Sequence, residues 1–121
     1  MTSNDTFTAL VPKEIEENVK FLEWEDDVDG GQISRINALK AMIRNLGLIT
    51  NSKDLRDGLY EKKWRNGLRL YFAVIQKDQK KTLLILGSSK GTDQERAIKR
   101  SRIILNSYLV IKEDIKYGPN N

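Results

Sequence analysis

Leu59-Tyr60-Glu61-Lys62-Lys63-Trp64, then Arg65-Asn66-Gly67, then Leu68-Arg69-Leu70-Tyr71-Phe72-Ala73-Val74-Ile75-Gln76 is the stretch on which the fold turns. Two alternating runs flank an Asn-Gly pair that supplies the positive φ of a tight connection, so the segment predicts a β-hairpin. Alternation puts Arg69 and Tyr71 on one face and Leu70 and Phe72 on the other, and it puts Glu61 and Lys63 together. Downstream, Lys77-Asp78-Gln79-Lys80-Lys81 turns the chain again, and Thr82–Leu86 is apolar enough for a central strand, which completes a three-stranded meander.

Upstream of the meander the period is helical. Phe7–Val11 predicts a short strand stopped by Pro12, and a helix over about Lys13–Glu25 carries Ile15, Val19 and Leu22 on one stripe, widened by Phe21 and Trp24. Asp29-Gly30-Gly31 reads as a turn into a second helix from about Gln32, with Ile33, Ile36, Leu39 or Lys40, Ile43 and Leu46 on one side and Gly47 ending it. The pair reads as a helical hairpin, and Thr50–Asp54 as a polar connection. A last helix opens at a Thr92-Asp93-Gln94-Glu95 capping box, with Ala97, Ile98, Ser101, Ile104, Leu105 and Tyr108 inward and Arg96, Lys99 and Arg100 outward. Trp24 and Trp64 are expected in the core. The expectation is one α+β domain over 1–121, in the order β-α-α-β-β-β-α, with loose ends at 1–5 and 112–121.

Composition narrows the chemistry. The 121 residues contain no cysteine and no histidine, which removes most zinc, iron–sulfur and haem sites and the Ser-His-Asp and Cys-His nucleophile systems. No metal or cofactor is expected, and acid–base work falls to Lys, Arg, Tyr, Asp or Glu. The longest apolar run falls far short of the roughly 20 residues that span a bilayer. The first residues lack the basic and apolar regions of a secretory signal, so the expected location is cytoplasmic, with no membrane partner. The net charge of +4 conceals a split, since residues 1–31 hold nine acidic and two basic side chains and residues 62–102 hold twelve basic and three acidic. A basic block of that kind suits a polyanion or a solvated surface.

Phe21-Leu22-Glu23-Trp24, Leu55-Arg56-Asp57-Gly58-Leu59-Tyr60-Glu61, Leu68-Arg69-Leu70-Tyr71-Phe72 and Leu83-Leu84-Ile85-Leu86, followed by Gly87, Lys90, Gln94 and Ile98, stand in an order that resembles the RelE/ParE superfamily of bacterial toxins, in its HigB-like and phage-derived killer-protein branch. The resemblance spans about residues 7–109. It departs from the family pattern at Lys62-Lys63, where that pattern has Leu-Arg, at Leu68, where it has Tyr, near Ala97, where an acid is common, and in the lack of a C-terminal histidine. It implies a small antiparallel sheet with a helical hairpin on one side and a closing helix. It also implies a type II toxin that cuts mRNA on the ribosome and is silenced by a cognate antitoxin, expected to be a helix-turn-helix protein.

The implied reaction is attack of a ribose 2′-hydroxyl on the adjacent phosphate, which needs a base, positive charge on the phosphate oxygens and an acid for the leaving 5′-oxygen. Arg69 matches the family's strand arginine and suits phosphate stabilisation. Lys63 fills the other matched basic position. Without histidine, the base would be Glu61 raised by burial, or Lys63 or Lys90 lowered by neighbouring cations. Lys90 follows Gly87-Ser88-Ser89 at a strand-to-helix junction, and Tyr71 either stacks on a base or packs in the core. Lys62, Arg65, Arg96, Lys99 and Arg100 are expected to contact the RNA backbone. The alternatives are a ParE-like toxin acting on DNA gyrase and a non-catalytic relative that only binds a partner.

Overall fold

The computed structural model describes residues 6–27, 30–112 and 116–119, with backbone alone for 24–27 and 116–119. The described residues form a mixed α+β unit of β1 (Phe7–Leu10), β2 (Ile15–Glu17), α1 (Val19–Asp27), α2 (Gly30–Leu46), β3 (Leu48–Asp54), β4 (Tyr60–Lys63), β5 (Leu68–Lys77), β6 (Lys80–Lys90), a 3₁₀ turn (Gly91–Asp93), α3 (Gln94–Leu105) and β7 (Lys116–Pro119). They build one sheet in the order β2-β6-β5-β4-β3-β1-β7.

The meander is the centre of that sheet. β4, β5 and β6 pair antiparallel, with Glu61 opposite Tyr71 and Lys63 opposite Arg69. The β4–β5 turn places only Gly67 at positive φ (92°), and the Asn66 side chain accepts the Leu68 N–H at 3.1 Å. Between β5 and β6, Asp78 and Gln79 both adopt positive φ (50° and 66°), the geometry of a two-residue hairpin turn.

Each face of the sheet carries its own core. Phe21 of α1 and Ile36, Leu39 and Ile43 of α2 cover one face, against Tyr60, Leu68, Leu70, Phe72, Val74, Leu83 and Ile85. α3 covers the other, where Ala97 and Leu105 pack on Leu59, Tyr71, Ala73, Ile75, Leu84 and Leu86. Buried aromatics such as Phe21, worth about 2–3 kcal/mol each on transfer, hold the helices down. Gly47, at φ +67°, closes α2 by donating to the Ile43 carbonyl and accepting from the Val11 N–H, both at 2.8 Å.

Several expectations are corrected. The first helix starts at Val19, because Ile15–Glu17 instead forms an edge strand parallel to β6, and Asn18 accepts the Lys20 N–H at 2.9 Å as a helix cap. Of its expected stripe Phe21 is buried, as expected, but Val19 and Leu22 are exposed, while the expected burial of Trp24 lies outside the described side chains. Gly30 and Gly31 belong to the first turn of α2, and the joint of the expected hairpin, at 28–29, lies outside the described residues. Leu46 is exposed, and Gln32 is buried in its stead.

The polar run Thr50–Asp54 lies within β3, which pairs with β1 and β4. No capping box forms, since Thr92 lies in the 3₁₀ turn and Asp93 is the N-cap of α3 without a side-chain bond. Lys116–Pro119, expected within a loose end, pairs with β1, and the expectation for 1–5, 113–115 and 120–121 lies outside the described residues.

Candidate functional site

The α3 side of β4, β5 and β6 gathers the polar groups. Glu61 on β4 is 3% exposed, and its Oε2 accepts a 2.9 Å hydrogen bond from Nε2 of Gln94, the first residue of α3. The Nε of Arg69 stands 3.6 Å from the same oxygen, an ion pair without a hydrogen bond, and that buried nitrogen has no hydrogen-bond partner among the described residues. Below them the Tyr71 hydroxyl lies 2.9 Å from Ser89 Oγ.

Ser89 reaches Tyr71 through a bulge. Leu84 and Leu86 face α3, and unbroken alternation would bring Ser88 and Lys90 to that side next. The β5–β6 register instead shifts between Tyr71 and Phe72, leaving Leu86 as the extra residue. Gly87 then stands opposite Tyr71, Ser89 opposite Arg69 and Lys90 opposite Leu68. Ser88 is turned to the other side, and its hydroxyl bonds the Arg69 carbonyl.

The structure thus brings together four of the five expected catalytic residues, Glu61, Lys63, Arg69 and Tyr71, and separates the fifth. Lys90 is exposed at the end of β6, but the register sets it with Leu68, on the side covered by α1 and α2. Lys63 is exposed and directly opposite Arg69. Tyr71 is fully buried, which excludes stacking on a base, and burial pushes its hydroxyl up to about 12. The Ser89 hydrogen bond and the Arg69 charge partly offset that rise, and the Glu61 carboxylate adds to it through its charge and a hydrogen bond.

Lys62 is the clearest correction among the expected RNA contacts. It is 7% exposed on the opposite face, where Nζ donates to the Thr50 carbonyl at 2.8 Å and to its hydroxyl at 3.2 Å, and sits 5.4 Å from the Trp64 ring centre. Burial pulls its ammonium below the ordinary 10.5. Arg65, in the β4–β5 turn, and Arg96, Lys99 and Arg100, on the outer row of α3, are exposed as expected. Since α3 covers the sheet face that carries Glu61 and Arg69, its outer row adds positive charge to that side of the molecule.

Gln94 and Ser89 are the site residues to which sequence reasoning gave no role. Gln94 is among the residues that carry the resemblance, and its position four residues after Lys90 was the available signal; for Ser89 the signal was Gly87, a lone glycine in a strand run, which favours a bulge without fixing its register. No metal-binding cluster of acidic residues occurs among the described residues. Compared with known proteins, the chain matches no family model, no curated protein and no solved structure.

Proposed function

We propose that this chain is a RelE/ParE-type toxin, HigB-like in branch, that acts in the cytoplasm as a ribosome-dependent mRNA endonuclease and is held in check by a cognate helix-turn-helix antitoxin. The observation that carries the reading is the Arg69–Glu61 ion pair beside exposed Lys63, on the side of the sheet that α3 lines with Arg96, Lys99 and Arg100.

In this reading Arg69 and Lys63 hold the phosphate that flanks the cut. Guanidinium keeps its charge at all working pH values and binds two oxygens at once. The Glu61 carboxylate takes the 2′-hydroxyl proton as the oxygen bonds to phosphorus. The bond to the 5′-oxygen breaks, a 2′,3′-cyclic phosphate remains, and Lys63 returns a proton to the leaving oxygen. Tyr71 is fully buried and hydrogen-bonded to Ser89, so it holds the site's floor and does not meet the substrate.

One observation favours a second reading, a non-catalytic RNA-binding relative: the Glu61 side chain is only 4% exposed, and substrate must reach it past Arg69. Primer extension on a defined mRNA in a reconstituted translation reaction, with and without ribosomes, separates the two. Cuts at codon spacing that need ribosomes support the nuclease, and they should vanish in Arg69→Ala. Intact mRNA overturns it, and a supercoiling assay then decides between a gyrase poison and a binding protein.

A further inference from the structure

We infer that Gln94 is a positioning residue that keeps Arg69 open to an anionic ligand, by engaging the Glu61 carboxylate that would otherwise close on the guanidinium. The identity of the ligand, a single-stranded RNA phosphate, rests on the function proposed above; the internal arrangement does not.

The unusual feature is an ion pair that stops short. With side chains 15% and 4% exposed, Arg69 and Glu61 are sheltered enough that a charge-assisted hydrogen bond between them would be favoured, yet Nε stays at 3.6 Å from Oε2 and bonds to nothing else described. A buried donor without a partner is unfavourable, so something must hold the carboxylate back. The Gln94 amide does so, at 2.9 Å from the same Oε2, together with the Tyr71 hydroxyl, which also hydrogen-bonds the Glu61 carboxylate from below. It is anchored on a different element from the ion pair, since α3 is fixed on the sheet by buried Ala97, Ser101 and Leu105.

The carboxylate is therefore held between α3 and β5, and it is the position the amide fixes, not a shortage of lone pairs, that keeps it off Nε. While Gln94 holds Glu61, the positive charge of Arg69 is only partly neutralised, and with 15% of its side chain exposed the guanidinium can attract an oxyanion. Lys63, opposite Arg69 and exposed, lies where such a ligand would meet a second cation. Removing the amide lets Glu61 swing onto Nε, pairing Arg69 internally and closing the anion site.

The test compares the full-length wild type, Gln94→Ala, Glu61→Gln and the double variant, by titrating an unstructured single-stranded RNA at several salt concentrations and following the Arg69 Nε–H by NMR. Gln94→Ala should weaken RNA binding about tenfold and flatten the salt slope by about 0.7, the loss of one phosphate contact. Its Nε–H should move downfield and exchange more slowly, because it now bonds Glu61. In the Glu61→Gln background the Gln94 change should have no effect on affinity, since no carboxylate remains to close. An equal loss in both backgrounds, or an unaltered Nε–H in Gln94→Ala, overturns the inference. A wild type that binds no RNA refutes the ligand assignment, and the NMR arm still decides the role of Gln94.

Discussion

Lys62 and Lys63 are adjacent in sequence and serve opposite faces of the sheet: the Lys62 ammonium is buried on the Thr50 carbonyl at 2.8 Å, and Lys63 is exposed across from Arg69. Their substitutions should separate accordingly. Lys62→Ala removes the donor from a part-buried carbonyl and should cost about 1 kcal/mol of stability while leaving the salt slope of RNA binding unchanged. Lys63→Ala should shift the melting temperature little and flatten that slope by about 0.7. Denaturant melts and salt-dependent titrations of the two variants make the comparison.

Lys62 also carries a pH signature. Its folded value is lowered from 10.5, so in the alkaline range the native state releases its proton before the unfolded chain does. Stability from this group therefore rises with pH toward the unfolded value, and the rise should be missing in Lys62→Met.

The contrast between these lysines explains what the sequence could reveal. Alternation puts Glu61 with Lys63 along β4 and Arg69 with Tyr71 along β5, as found, because the strands are regular there, and the register then sets the two pairs on one face. The same alternation sets Lys62 on the opposite face, and the expectation of an RNA contact there rests on charge alone; a buried lysine satisfied by one threonine has no composition signal. Lys90 failed for a different reason: the bulge at Leu86 reverses parity, and its one mark in the sequence, the lone Gly87 inside an apolar strand, does not fix which residue is extra. At the N-terminus, Ile15, Val19 and Leu22 fit a helical period by coincidence. Asn18 was the legible start signal, and the parallel pairing of β2 with β6 is a long-range contact that local pattern does not encode.

Tyr71 should dominate the alkaline limb of stability. Its hydroxyl is raised from 10.0 to about 12, chiefly by burial, so above 10 the unfolded chain loses this proton first. The stabilisation is complete below the unfolded value and is lost as pH rises through about 12. Tyr71→Phe should remove that component from a pH series of denaturant melts and its share of the near-ultraviolet phenolate titration. It should cost about 1 kcal/mol at neutral pH for the lost bond to Ser89. A Tyr71 that ionises with the ordinary tyrosines would contradict the buried site.

Gly58 ties the β3–β4 loop to the segment after α3. It adopts φ +85°, and a Cβ there would stand 2.6 Å from Cγ1 of Val110. Val110 is held in turn by a bridge to Ile75 and by the flanking bonds from Gln76 N–H to the Leu109 carbonyl and from Ile111 N–H to the Val74 carbonyl, at 2.9 and 2.8 Å. Gly58→Ala therefore meets both backbone strain and a clash, and should destabilise the protein by more than about 1 kcal/mol. Hydrogen exchange at Gln76 and Ile111 should speed up in the variant before exchange elsewhere in β5 does.

The acidic segment that forms β2 tests whether burial or mere pairing makes an ion pair count. Glu17 bonds Lys40 of α2 with side chains only 16% and 11% exposed, whereas Glu14 meets Lys80 at 3.9 Å with 65% and 70% exposed. Lys40 also lies 5.7 Å from the Phe21 ring centre, so its ammonium joins β2, α1 and α2 at one point. Glu17→Ala leaves that ammonium sheltered beside an aromatic ring without its carboxylate, and should cost about 3 kcal/mol. Glu14→Ala removes a screened surface pair and should change stability by about 0.5 kcal/mol or less. Raising the salt concentration should erase the small Glu14 effect and leave most of the Glu17 effect in place, because ions screen the solvated pair and not the enclosed one. Equal costs for the two alanine variants would show that β2 is held by its backbone pairing with β6 and that the Glu17–Lys40 contact adds nothing.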